Sequence, residues 1–234
     1  MAVIDSHPQA VWTILQDSVS VAEQAARRVL DAAAHALARK GEFRLVLAGG
    51  RTPMQAYRLL AQADSDWSGW RIYYGDERCL PPDHSERNSR AAFDAWLGKV
   101  PIPVANVFAI PAELGAQTGA SVYGERVRVA LPFDLVLLGM GEDGHTASLF
   151  PGHPEPAEAL VVPVFGAPKP PSERVSLSSV ALGAADQVLI LVTGAGKREA
   201  VARWRDGEPL PVSRIGARRR LEVILDRAAA GGSA

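Results

Sequence analysis

Phe133-Asp-Leu-Val-Leu-Leu-Gly139 runs on into Met-Gly141-Glu-Asp143-Gly-His145-Thr-Ala-Ser148-Leu-Phe-Pro151, an apolar run followed by a glycine-rich polar loop. Its first half is almost continuously apolar, the pattern of a strand covered on both faces. Such a strand needs helices on either side, and the surrounding sequence supplies them. Gln117–Ala130 reads as a helix immediately before it. Farther upstream, Ser20-x-x-Glu23 reads as a capping box opening a helix to about Lys40, with Gly41 as its stop. Ala22, Ala25, Ala26, Val29, Ala33 and Leu37 recur along it at helical spacing.

The remaining elements alternate in the same way. Strands are predicted at Phe43–Ala48, Trp70–Gly75, Val107–Ile110, Leu160–Val164, Arg174–Leu177, Gln187–Val192 and Leu221–Leu225. Helices are predicted at Pro53–Ala63, with Thr52 as N-cap and Pro53 as first helical residue, at Arg87–Leu97 and at Lys197–Trp204. This alternation implies parallel βαβ units: an α/β protein built on an open sheet. Ala228–Ala234 reads as a short frayed tail. The Pro-rich Pro151–Pro171 is linker-like, but apolar Leu160–Phe165 interrupts it, so the expectation is one domain over residues 1–234.

Composition narrows the function. A chain 47% hydrophobic and 22% charged is an ordinary globular sequence, not a disordered one. Its 25 basic and 26 acidic residues leave a formal charge of −1, without the basic excess of a nucleic-acid binder. The single cysteine, Cys79, rules out an intramolecular disulfide and fits a reducing compartment. No uncharged run approaches the ~18 residues a bilayer span requires, and no signal peptide is evident, so a cytoplasmic protein without membrane contact is expected.

In an open parallel sheet, ligands bind where strands end and helices begin. Gly49-Gly50-Arg51-Thr52-Pro53 offers a close backbone approach and a helix N-terminus to an anion, although a plain capped turn would look similar. Asp76-Glu77-Arg78-Cys79 is either a solvated surface loop or an ion-paired site; Cys79 reads as a packed cysteine. Gly139–Ser148 contains a formal G-x-G-x-x-G, but Pro151 and Pro154 leave no room for the long helix of a dinucleotide site, and no acidic residue ends the next strand. It offers instead His145 with Asp143 two residues earlier, a spacing that can hold an imidazole in one tautomer as a general base. Thr193-Gly-Ala-Gly-Lys197 delivers a lysine on a glycine loop but lacks the rest of a P-loop. Arg174 is a candidate second cation, though an arginine opening a strand is ordinarily exposed. No metal-ligand spacing and no G-x-S-x-G occur.

Together these loops resemble the 6-phosphogluconolactonase family, within the superfamily that includes glucosamine-6-phosphate deaminase/isomerase. The matching segments are Ala48-Gly-Gly-Arg-Thr-Pro53, Gly75-Asp-Glu-Arg78 with Ser85–Asn88, Gly139–Pro151, Ala167-Pro-Lys-Pro-Pro-Ser-Glu-Arg174 and Gly194-Ala-Gly-Lys197. The resemblance spans about Ser18 to Asp226. In one departure Arg87 looks like an insertion in an acidic-Ser-Asn pattern, which leaves the register of Asn88 open. The resemblance implies a three-layer α/β/α, Rossmann-like, mostly parallel sheet with its ligand site at the carboxyl edge. It also implies hydrolysis of 6-phospho-D-glucono-1,5-lactone to 6-phosphogluconate in the pentose phosphate pathway, by a monomer with no cofactor. His145 oriented by Asp143 would activate water, and Arg78 with Asp76 would serve the developing charge. Gly49, Gly50, Arg51, Thr52, Arg174 and Lys197 would bind the substrate and its phosphate. The alternatives are a deaminase/isomerase, whose pattern puts an aspartate base in the loop at Asp76, and a non-catalytic sugar-phosphate-binding protein. Tyr74-Gly75-Asp76-Glu77-Arg78 and Thr146-Ala-Ser-Leu-Phe150 fall on the lactonase side.

Overall fold

The computed structural model describes residues 10–231. Its elements in chain order are β1 (Val11–Leu15), α1 (Ser18–Lys40), β2 (Phe43–Leu47), α2 (Arg51–Leu60), β3 (Trp70–Tyr74), β4 (Asp76–Arg78), α3 (Asn88–Ala95) and α4 (Ala116–Ala130). There follow β5 (Phe133–Gly139), β6 (Val161–Val164), β7 (Arg174–Leu177), α5 (Ser179–Gly183), β8 (Ala185–Val192), α6 (Arg198–Arg205), β9 (Arg220–Asp226) and α7 (Arg227–Ala230).

Six strands form one parallel sheet in the order β1-β9-β8-β5-β2-β3. Helices flank this sheet, as the apolar runs demand: β5 is buried at every position but Gly139, and β8 is buried from Val188 onward. On α1 the buried stripe is mostly small, with Ala22, Ala25, Ala26, Ala32, Ala33 and Ala36 beside Val21 and Val29. Small residues let the helix backbone lie close to its neighbours, so burial here comes from proximity rather than bulk.

The chain runs outward from β2 to β3, then crosses back to the other side of β2 with β5 and continues through β8 and β9. The strand order therefore reverses between β2 and β5. A crevice opens at the carboxyl ends of the strands at such a point. Gly49–Thr52 leaves β2 there and Gly139–His145 leaves β5, with a Cβ on Gly139 standing only 4.0 Å from the Gly49 carbonyl oxygen.

Several expectations need correction. Leu160–Val164 and Arg174–Leu177 are strands, but they belong to a separate three-stranded antiparallel sheet, β4-β7-β6, that caps the carboxyl edge. Gly75 joins the two sheets: its N–H donates to Leu47 O at 2.9 Å, and its carbonyl accepts from Leu177 N at 2.7 Å. The α1 cap is Asp17, whose carboxylate accepts from Ser20 N at 2.8 Å, so Ser20 is already helical. Gly41, at φ 73°, ends that helix as expected. β1 escaped the reading because it is a five-residue, half-exposed edge strand. Val107–Ile110 makes one bridge, to Ile72, and no strand. Arg227–Ala230 is a helical turn capped by Asp226 rather than a frayed tail; residues 232–234 lie outside the described region. Among the described residues no helix is long and apolar enough to cross a membrane.

Candidate active site

A cavity of about 400 Å³ occupies the crevice. Every sequence-selected residue lines it except Asp143, which stands behind His145. The size suits a small polar metabolite.

One wall is the start of α2. Gly50, at φ 101°, holds a backbone conformation that side chains rarely adopt, and it is the N-cap; no side chain caps the helix. Thr52, expected as that cap, lies in the first turn. Its hydroxyl instead shares a 2.6 Å hydrogen bond with the Thr193 hydroxyl, tying the α2 turn to the loop after β8. That loop is pinned from below: the buried Asp226 carboxylate accepts from Gly194 N at 3.0 Å on both oxygens. Lys197 closes a short 3₁₀ turn, Ala195–Lys197, and lines the cavity. Burial pulls its ammonium below the ordinary lysine value, opposed by the nearby Glu142 carboxylate. Uncapped helix N–H groups, Arg51 and Lys197 thus make this stretch of the lining anion-seeking.

His145, which lines the same cavity, meets Asp143. The imidazole Nδ1 lies 2.5 Å from Asp143 Oδ1, which also accepts the His145 backbone N–H at 3.1 Å. Burial alone would raise the Asp143 carboxyl, but the His145 backbone N–H and imidazole outweigh it and hold the carboxyl below its ordinary value. An ionised Asp143 accepting from Nδ1–H leaves Nε2 as the acceptor nitrogen. The loop folds this tightly because position 141 is glycine. A Cβ there would collide with the His145 ring and lie 2.6 Å from Asp143 Oδ1. The loop also stores strain, since Ala147 adopts φ 49° without being glycine. Thr146 steadies it by donating to Gly139 O at 2.8 Å.

The charged segment after β3 is neither a solvated loop nor a loop at all. As β4 it pairs with β7, setting Asp76 opposite Ser176 and Arg78 opposite Arg174. Asp76 is buried and its carboxyl is raised by desolvation, against which Ser148 and Arg174 act. Glu77 faces inward and caps α3, accepting from Asn88 N at 2.7 Å and Ser89 N at 2.9 Å. Arg78 lines the cavity while one guanidinium nitrogen donates to Glu86 O. Arg174 is buried, not exposed: Nη2 donates to Lys169 O at 2.7 Å, Nε donates to Pro171 O at 3.2 Å, and the guanidinium sits 5.6 Å from the Phe150 ring centroid. The Cys79 thiol, pushed up to about 11 by burial and the neighbouring Glu173, stays protonated near neutrality and is no nucleophile.

Sequence reasoning missed Thr193, Ser148, Lys169 and Phe150, and it left Asn88 without a place. Asn88 lies against Gly49, where a Cβ would come 2.8 Å from its Cγ, and its amide reaches Asp76. Arg87, the residue that departs from the family pattern, is buried between Glu77, at 3.4 Å, and Glu113, at 2.8 Å. Among the described residues no group of three or more His, Cys, Asp or Glu is placed to hold a metal ion.

Comparison with known proteins agrees with this geometry. The family described as "Glucosamine-6-phosphate isomerases/6-phosphogluconolactonase" matches residues 16–225. The chain is 37% identical over 212 residues to 6-phosphogluconolactonase 3, chloroplastic, of Arabidopsis thaliana, covering 81% of this chain and 65% of that protein. The chain thus spans just under two thirds of the length of that plant relative. It is also 37% identical over 246 residues to the 6-phosphogluconolactonase of Streptomyces coelicolor, covering 95% of this chain and 94% of that one. The crystal structure of 6-phosphogluconolactonase from Thermotoga maritima superposes with a TM-score of 0.87 at 28% identity, over 93% of this chain and all of the other. With the motif loops converging on one crevice and a family match across nearly the whole length, the chain belongs to the glucosamine-6-phosphate isomerase/6-phosphogluconolactonase family.

Proposed function

We propose that this chain hydrolyses 6-phospho-D-glucono-1,5-lactone to 6-phosphogluconate, acting as a monomeric single domain in the cytoplasm. One observation carries the reading: an Asp143-oriented imidazole and an anion-seeking helix terminus with Lys197 face the same cavity of about 400 Å³. A base and a phosphate anchor facing one cavity suit a substrate that carries both a reactive carbonyl and a phosphate. Relatives named as 6-phosphogluconolactonases support the choice.

The anchor comprises the Gly49–Thr52 turn, Arg51 and Lys197, with Arg174 as the further cation of the cavity wall. His145 takes a proton from the water attacking C1. The tetrahedral intermediate then collapses by breaking the bond from C1 to the ring oxygen, and His145 returns the proton to that oxygen. Asp143 stabilises the imidazolium that forms in between. Arg78 offsets the oxyanion, and Asp76 balances the cluster of guanidinium groups. A lactone is already an activated ester, so no covalent enzyme intermediate is required.

The deaminase alternative needs Asp76 as a mobile base facing the sugar. Asp76 is instead buried, with Ser148 donating to one oxygen and Asn88 to the other. The test is proton release from the phosphorylated lactone in a weakly buffered pH-stat, beside ammonia release from glucosamine 6-phosphate. The reading expects the first and not the second; the reverse result defeats it.

A further inference from the structure

Asp76 is held in a way that its charge-balancing role does not by itself require. Its two carboxylate oxygens are gripped from different sides. Ser148 Oγ donates to Oδ2 at 2.6 Å, and Asn88 Nδ2 donates to Oδ1 at 3.0 Å and to the Asp76 carbonyl at 2.9 Å. All three residues are buried. The donors come from separate elements: Ser148 from the loop that carries His145, and Asn88 from the first residue of α3.

Ser148 makes a second tie. Its backbone N–H donates to Ser176 Oγ at 3.2 Å, and Ser176 is the cross-strand partner of Asp76 in the β4–β7 pair. One residue of the His145 loop therefore bonds both members of a single cross-strand pair. Between His145 and Ser148 lies Ala147, in a left-handed conformation that a free loop would relax. The turn persists because both flanks are fastened, upstream by the Thr146 hydroxyl on Gly139 O and downstream by Ser148. On the other side Asn88 is itself immobilised, because its backbone N–H donates to the fully buried Glu77 and its side chain abuts Gly49.

We propose that Ser148 and Asn88 are positioning residues that clamp the Asp76 carboxylate and, through it, set the His145 loop in register with the strands carrying Arg78 and Arg174. The proposal rests on the lactonase reading for its kinetic test and on geometry alone for a second. Glu77 and Arg78 on its own strand and Arg174 on β7 are the charged groups acting on Asp76; Arg87 adjoins it through Glu77 from the α3 side, and His145 lines the same cavity. Removing a donor from a buried carboxylate favours its protonated form, and so does adding a like charge beside it.

Ser148→Ala and Asn88→Asp test this, both near-isosteric and checked for folding by circular dichroism. Ser148→Ala is expected to cut kcat at least about tenfold, the scale of a hydrogen bond to a charged group. Its KM for the phosphorylated lactone should stay within about threefold, because Ser148 bonds Asp76 and Ser176 rather than a residue of the anchor. The acid limb of its kcat profile should move up by about one pH unit, and Asn88→Asp should move it farther. Folded variants whose acid limb stays in place overturn the proposal, whether or not kcat falls. If the wild type releases no proton from the lactone, the functional reading fails alone, and the clamp is then judged by ¹⁵N NMR of the His145 ring. Ring resonances displaced in Ser148→Ala uphold it; resonances unchanged from the wild type overturn it.

Discussion

Gly141→Ala adds one methyl group and should nearly abolish turnover without unfolding the protein. Gly141 does not have positive φ, so alanine meets no backbone strain there. The cost is local: the new Cβ would overlap His145 Nδ1 and Cε1 and stand 2.6 Å from Asp143 Oδ1. Ordinary contact between such atoms needs about 3.5 Å, so the carboxylate must retreat by about 1 Å and the ring by more. A displacement of about 1 Å at a reacting group costs on the order of 10²-fold, and complete loss of a positioned base costs about 10²–10⁴-fold. We therefore expect kcat to fall by about 10²–10³-fold, with KM for the phosphorylated lactone little changed because Gly50, Arg51 and Lys197 are untouched. The assay is pH-stat proton release with the spontaneous hydrolysis rate subtracted at each pH, beside circular dichroism and a melting curve. A folded Gly141→Ala protein with wild-type kcat would refute the claim that the His145–Asp143 pair acts in this geometry.

Other perturbations separate the base from the anchor. Lys197→Ala should raise KM for the phosphorylated lactone more than about tenfold, as expected for losing a charge-assisted hydrogen bond of roughly 1.5–3 kcal/mol, yet hardly affect unphosphorylated gluconolactone; equal losses on both substrates would remove Lys197 from the anchor. Asp76→Asn should lower activity while raising Tm at neutral pH. Burial holds the folded-state carboxyl above its ordinary value, so the wild type loses stability as pH rises from about 4 through the folded pKa, and the variant escapes that loss. The Tm gap should close below pH about 4; a variant less stable at every pH would contradict this. Dialysis against EDTA should leave activity intact, and a loss restored by Zn²⁺ or Mg²⁺ would overturn the mechanism.

Five of the six strands of the parallel sheet were legible because they are largely apolar runs, and α1 because it carries periodic small residues, both local signals; the half-exposed edge strand β1 was not. The second sheet was not. β4 is three residues of consecutive charge, and only its pairing with β7 makes Asp76 and Glu77 inward-facing. Arg174 was misjudged for the same reason: its burial depends on carbonyl oxygens of Lys169 and Pro171 and on the Phe150 ring, supplied by the fold rather than by its neighbours in sequence. Thr52 met every local rule for a helix cap, yet Gly50 takes that position and frees the Thr52 hydroxyl for Thr193, 141 residues away. His145 and Asp143 were readable from spacing, since two residues on a glycine-rich turn meet without long-range help. Ser148 and Asn88 acquire meaning only where the His145 loop and the start of α3 converge on Asp76 of β4.

The central claim is that His145 is the base that activates water on the lactone carbonyl. Its most direct test is the pH-stat rate of His145→Ala on 6-phospho-D-glucono-1,5-lactone, corrected for spontaneous hydrolysis and compared with the wild type at saturating substrate. With the base gone, kcat should drop by about 10²–10⁴-fold while KM barely moves, because the phosphate is held by other residues. A folded His145→Ala protein with near wild-type kcat would contradict the claim and make the imidazole structural.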